Sequence, residues 1–214
     1  MSAYASVENF QKAAEHLRLH DPVLGTVINT APLPSYVPHT NYYQSLVESI
    51  ISQQLSVKAA ATILKRFTDL FSAPFPDPGD ILAMDVETLR SVGLSRQKAG
   101  YIKDLATKVL DGTVQFSHLD QLSNQDVINE LVQIKGVGIW TVHMFLLFCM
   151  GRLDILPTGD LGIKNGIYKL YNLAEKPSPE DMLMIASSNH WHPYESVATW
   201  YIWHSLDNKP PIEL

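Results

Sequence analysis

Apolar residues recur at helical spacing along most of the chain, and no stretch shows the period-two alternation of a half-buried strand. From Val7 to Leu19 the pattern puts Phe10, Ala13, Ala14 and Leu17 on one face, which predicts a first helix; Asp21-Pro22 restarts the chain after it. Pro32, Pro34 and Pro38 mark an irregular connection and a candidate lobe boundary. Tyr42 to Ile51 reads as a helix. Gln53-Gln54-Leu55-Ser56 interrupts its pattern and Val57 to Phe71 resumes it, with Ser56 able to cap the second helix. A proline-rich loop from Phe75 to Gly79 leads into a helix over 80–92, and after Gly93-Leu94 a helix runs from about Arg96 to Leu110 with the Ser95 hydroxyl as its cap. Further helices are predicted over Leu161–Leu173, from within Pro177–Met182, and over Ser196–Leu206, the last carrying Trp200 and Trp203. There is no internal repeat or low-complexity tract. The pattern predicts an all-α fold.

The stretch from Leu131 to Asp160 organises the rest. Val127, Ile128, Leu131 and Ile134 keep helical spacing, and Ser123 with Asp126 three residues on has the form of a capping box, so a short amphipathic helix should end near Ile134. Gly136 and Gly138 can both take positive φ and leave no side chain over the turn, which would let the N–H groups of 136 to 139 point outward together. Unpaired amides at a helix start favour an anion, a phosphate above all. The plainer reading of such a turn is a tight reversal and nothing more. From Ile139 to Met150 nearly every residue is apolar, which predicts a helix buried all round. Asp160 then follows a Pro-Thr-Gly loop, where an aspartate ahead of an apolar-periodic helix is first of all an N-cap.

Bulk properties narrow the field. The chain has 214 residues, enough for a sizeable core, and its 46% hydrophobic content is that of a globular protein. One cysteine, Cys149, supports neither a disulfide framework nor a cysteine-ligated zinc or iron–sulfur site. No signal peptide is evident, and the longest apolar run, 139–150, is too short to span a bilayer; a soluble intracellular protein with no membrane association is expected. The net charge of −6 is not that of a typical nucleic-acid binder. Basic residues are nevertheless clustered: Arg90, Arg96, Lys98, Lys103 and Lys108 face only Asp104 within that stretch, although such a cluster by itself also fits a solvated helix face. Among the histidines near the end, His190, His192 and His204, no pair at metal spacing lies on a helix with a carboxylate, so no catalytic metal and no cofactor are expected.

Taken together, Ile134-Lys135-Gly136-Val137-Gly138 and Leu156-Pro157-Thr158-Gly159-Asp160-Leu161-Gly162 resemble the helix-hairpin-helix and Gly/Pro-Asp signatures of the HhH-GPD superfamily of DNA glycosylases, the alkylbase (3-methyladenine) glycosylase II family in particular. Ser52-Gln53-Gln54-Leu55-Ser56 and Val92-Gly93-Leu94-Ser95-Arg96-Gln97-Lys98-Ala99 agree, and the similarity runs from about Tyr42 to about Trp203. The resemblance implies two helical lobes with an active-site cleft between them, lobe one over about 42–150 and lobe two over about 1–41 plus 151–214. It implies that Asp160 is catalytic, that Trp140, Met144 and Tyr194 line a substrate pocket, and that Lys135, Gly136, Val137 and Gly138 bind a DNA phosphate. Ser95, Arg96 and Lys98 would form a second phosphate site, and Gln54 and Leu55 would enter the gap left by an extruded base. A monovalent cation on the carbonyls of Gln133, Gly136 and Gly138 is a further implication.

The implied activity is a monofunctional glycosylase acting as a monomer on double-stranded DNA with alkylated bases, in the cytoplasm or nucleoid of a bacterium or the nucleus of a eukaryote. Related bifunctional enzymes use a lysine at the position of Trp140 to form a Schiff base, and an indole cannot do so. Met144 and Tyr194 stand where the bacterial inducible member has a tyrosine and a tryptophan, which leaves the substrate range open. Core packing remains the plainer fate of Trp140. Three other readings use the same residues: a noncatalytic module that binds DNA by shape, a glycosylase for another damaged base, and a helical scaffold whose aromatic C-terminus takes a protein partner.

Overall fold

The computed structural model describes residues 4–206. Among these the helices run in chain order α1 (Val7–His20), α2 (Pro22–Ile28), α3 (Tyr42–Ser52), α4 (Val57–Thr68), α5 (Pro78–Ala83), α6 (Val86–Ser91), α7 (Arg96–Leu110), α8 (Asn124–Leu131), α9 (Ile139–Met144), α10 (Leu161–Leu170), α11 (Pro179–Ser188) and α12 (Glu195–His204). A 3₁₀ stretch, Phe116–Gln121, precedes α8, and a π-helical stretch, Phe145–Cys149, continues α9. Among the described residues the β pairing consists of an isolated bridge between Tyr4 and Arg152, so the fold is all-α. No helix among them is long and apolar enough to cross a membrane.

Most helix starts follow from local chemistry. Side-chain oxygens of Ser6, Asp21, Asn41, Ser56, Ser95, Ser123, Asp160 and Ser178 accept backbone N–H groups in the first turn of the helix that follows each. The segment predicted as one helix over 80–92 is two, because Asp85 accepts the Thr88 N–H at 2.9 Å and starts α6 afresh after Met84 turns extended. Ahead of α8, Ser123 receives the Asp126 N–H at 3.1 Å but gives its own hydroxyl proton to the Asp126 carboxylate at 2.6 Å, so the reciprocal half of a capping box is replaced by a side-chain pair.

The chain divides into two compact units, Met1–Thr40 with His143–Leu214, and Asn41–Val142. The second crossing falls inside α9 and not at the 150 expected from sequence. The reason is that Met144, Leu147 and Phe148 pack into the core of the first unit with Phe10, Leu17 and Ile163. In that unit α12 touches α1, α2 and α10, and Val197 to Trp203 are buried on every side, which explains why this helix shows no polar stripe. In the second unit α7 packs on α3, α5 and α6, with Ile102, Leu105 and Ala106 turned inward. The expectation of one buried helix over 139–150 also needs correction. Ile139 is 58% exposed and Trp140 37%, so the run begins at the surface and becomes fully buried at its π-helical part.

Candidate active site

The hairpin before α9 is built by the second unit. Gly136 has φ +81°, and a Cβ there would stand 2.1 Å from the Tyr101 ring, so the turn lies flat against that aromatic; the Gln97 amide in turn donates to the Tyr101 hydroxyl. Gly138 does not take positive φ, contrary to expectation, and a Cβ on it would meet nothing within 4 Å. Of the four amides expected to point outward, that of Val137 is tied back to the Ile134 carbonyl at 3.1 Å, and the Val137 side chain is buried. The N–H groups of Gly136, Gly138 and Ile139 have no partner among the described residues. Lys135 anchors the turn: its N–H donates to Asp104 at 2.9 Å and its ammonium lies 3.2 Å from the same carboxylate while staying 75% exposed. The hairpin retains three open amides and a solvated cation.

The interruption at Gln53–Ser56 lies in the same unit and is held to the hairpin. Gln53 donates its amide to the Gly136 carbonyl at 2.9 Å, and the Lys98 ammonium donates to the carbonyls of Ile51 at 2.8 Å and Gln53 at 2.6 Å. Lys98, expected at a phosphate, therefore closes the end of α3, and burial pushes its ammonium below the ordinary lysine value. Ser95 caps α7, and Arg96 reaches Glu87 at 2.8 Å while staying 73% exposed. Gln54 is exposed and sits at φ +57°, a left-handed conformation that costs a side-chain-bearing residue on the order of 1–3 kcal/mol, with Leu55 beside it 38% exposed. The carbonyls proposed for a monovalent cation face internal donors: Gly136 accepts from Gln53, and Gly138 from the Val142 N–H at 3.1 Å. Each of these two carbonyls keeps a second lone pair beside its internal donor. Among the described residues no group of three or more His, Cys, Asp or Glu side chains is placed to hold a metal.

Asp160 belongs to the first unit. The loop before it is closed by its own N–H donating to the Pro157 carbonyl at 2.9 Å, and its Oδ1 accepts the Ile163 N–H at 2.8 Å, the capping bond that starts α10. The same Oδ1 accepts the indole N–H of Trp203 at 2.9 Å. Only 8% of the residue is exposed. A buried carboxylate held by two N–H donors is a fixed negative charge, suited to stabilising a cation that forms beside it.

The hairpin and the loop that delivers the capped aspartate both fall within one family match. Residues 47–190 match the model of the HhH-GPD superfamily of base excision DNA repair proteins. The chain belongs to that superfamily. It is 37% identical over 163 residues to DNA-3-methyladenine glycosylase 1 of Schizosaccharomyces pombe, covering 75% of this chain and 71% of that protein. It is 33% identical over 171 residues to Bacillus subtilis YfjP, where the match takes in 77% of this chain but spans only 59% of the relative. The solved structure of the Schizosaccharomyces pombe 3-methyladenine DNA glycosylase in complex with abasic DNA superposes with a TM-score of 0.75 at 32% identity, covering 92% of this chain and 97% of that one.

Three pocket residues were expected from the HhH-GPD resemblance, and the structure separates them. Trp140 is 37% exposed at the head of α9 and so is not core. Met144, one turn on, is 3% exposed and belongs to the core of the first unit, because α9 has by then entered it. Tyr194 is half-buried and turns an edge to the His16 ring, with centroids 5.2 Å apart. Sequence reasoning missed Trp203 as the partner of Asp160, together with Phe148, whose ring stacks on Trp203 at 5.9 Å. It also missed Gln53 and Tyr101 as the supports of the hairpin. A tryptophan in a fully apolar helix signals only burial; nothing local to it names its hydrogen-bond partner.

Proposed function

We propose that the protein is a monofunctional DNA glycosylase that extrudes an alkylated purine, of the 3-methyladenine and 7-methylguanine class, from double-stranded DNA and hydrolyses its N-glycosidic bond. The observation that carries this reading is the Asp160 carboxylate, buried at the head of α10 and held by the Ile163 and Trp203 N–H groups. As the base departs with the bonding electrons, positive charge builds on C1′ of the sugar, and a fixed carboxylate stabilises it and aligns the water that adds there. The water supplies hydroxide to C1′; because the alkylated purine takes the bonding electrons and leaves as a neutral base, the remaining proton passes to the Asp160 carboxylate and on to solvent. Alkylation at N3 or N7 makes the purine cationic and a better leaving group, and an electron-rich indole such as that of Trp140, partly exposed at the head of α9, favours such a ring.

Phosphates on either side of the flipped nucleotide would be held by the amides of Gly136, Gly138 and Ile139 with Lys135, and by Arg96 at the head of α7. Gln54 and Leu55 would fill the vacated stack, which offsets part of the cost of extrusion. The product is an abasic site in an uncut strand, since Trp140 offers no amine for a Schiff base. The protein would act as a monomer without a cofactor. Incubation with methylated duplex DNA should release 3-methyladenine or 7-methylguanine and leave strands that break only after alkali treatment. Tight DNA binding without base release would identify a noncatalytic module instead.

A further inference from the structure

We infer that Trp203 is a positioning residue for Asp160, its indole N–H setting the direction in which the carboxylate presents its charge. This rests on the catalytic reading of Asp160. A capping bond by itself holds one carboxylate oxygen and lets the group swing about that contact. A second donor on the same oxygen removes the swing, and here Oδ1 accepts both the Ile163 N–H at 2.8 Å and the Trp203 indole N–H at 2.9 Å. The indole is itself confined. Trp203 is 2% exposed and stacks on Phe148 with 19° between the planes, and Phe148 is carried by the π-helical stretch Phe145–Cys149, the kind of irregularity that re-aims a side chain within a helix.

Gly162 supplies the room. A Cβ there would stand 3.0 Å from the Asp160 Oδ1 and 3.1 Å from the Trp203 Nε1. Its backbone is not in the left-handed region, and alanine is the better helix former, so helix stability gives no reason for glycine at this place. Close approach of indole and carboxylate does. Gly162 and Trp203 thus meet one oxygen atom whose orientation a glycosylase would need to keep, with Phe148 stacked behind the indole.

The test replaces Trp203 with benzothienylalanine, which keeps the ring shape and exchanges the N–H for sulfur. Single-turnover release of 3-methyladenine from methylated duplex DNA should fall by about tenfold or more, since small misplacement of a reacting charge is costly, while DNA affinity stays unchanged and the melting temperature falls only as far as the loss of one buried hydrogen bond requires. In an Asp160→Asn background, the same replacement should have no further effect, which a merely structural role for the indole would not produce. Gly162→Ala provides an independent second variant: it should slow excision in the same direction and be silent in the Asp160→Asn background. Undiminished release by the isostere overturns the inference, as does a loss that persists in full without the carboxylate. A wild-type protein that releases no base overturns the glycosylase reading instead.

Discussion

The hairpin that enters α9 and the stretch Pro157–Gly162 that forms the loop and first turn of α10 each hold a pair of glycines, and in each pair one glycine is confined and the other is open. Gly136 is confined by a φ of +81° and by the Tyr101 ring, 2.1 Å from where its Cβ would stand. Gly162 has ordinary backbone and is confined only by Asp160 and Trp203, at 3.0–3.1 Å. Gly138 and Gly159 would meet nothing within 4 Å. The two helix heads then part company. The hairpin leaves N–H groups without partners among the described residues and Ile139 58% exposed, whereas the loop buries Asp160 to 8% exposure and holds its carboxylate with the Ile163 and Trp203 N–H groups. A surface that waits for an external phosphate must keep its donors open to solvent. A charge that acts on a short-lived cation gains more from being immobile and desolvated.

The sharpest break in that comparison is Asp160→Asn. Asparagine caps a helix about as well as aspartate, and its carbonyl can still accept from Ile163 and Trp203, so melting should stay near native. Base release should nevertheless fall by about 10² or more, the scale of removing one preorganised charge. DNA binding should hold or tighten, because one negative charge is removed from a protein that meets a polyanion. Full activity would leave Asp160 as a cap and nothing else.

Next in size, Gly136→Ala should destabilise the protein by about 1–3 kcal/mol in denaturant melts, through left-handed strain and the Tyr101 contact, while Gly138→Ala and Gly159→Ala change it little. Equal effects at all three sites would erase the distinction between confined and open glycines. Gly138→Asp should fold normally, since its Cβ enters open space, yet weaken DNA binding severalfold and to the same degree for any sequence, as measured by fluorescence anisotropy. Unchanged affinity would remove the phosphate assignment.

The smallest effect concerns His143, one turn past the exposed Trp140. Burial pushes its imidazole below the ordinary 6.5, and its Nδ1 has no partner. The unfolded chain then binds the proton more readily than the folded one, so this contribution to stability is present above pH 6.5 and is lost as pH falls through the lower folded value. Thermal melts of the wild type should therefore drop more steeply than those of His143→Gln as the buffer is acidified below that point. Parallel curves would show a solvated imidazole.

Helix placement was legible in the sequence because its causes are local. Ser95 capping Arg96–Leu110 and Ser6 capping Val7–His20 are contacts three residues long, and the inward faces of both helices follow from a period of 3.6. The break at Asp85 was just as local, yet it lay hidden under apolar spacing that runs on across it. The hairpin and the Pro-Asp loop were legible as ordered motifs, and Asp160 as a cap could be read from its neighbours alone. Side-chain destinations over long separations were a different matter. Lys98 reaches carbonyls 45 and 47 residues back, Gln53 a carbonyl 83 residues on, and Trp203 a carboxylate 43 residues before it. A lysine looks the same in sequence whether it will meet a phosphate or a helix end, and a tryptophan whether it will fill space or donate its N–H. The sequence by itself determined where the helices start, which faces they bury and which residues could carry the chemistry. Only the tertiary structure decided which donors were left open and which were turned inward, because that depends on the partners that packing brings within about 3 Å.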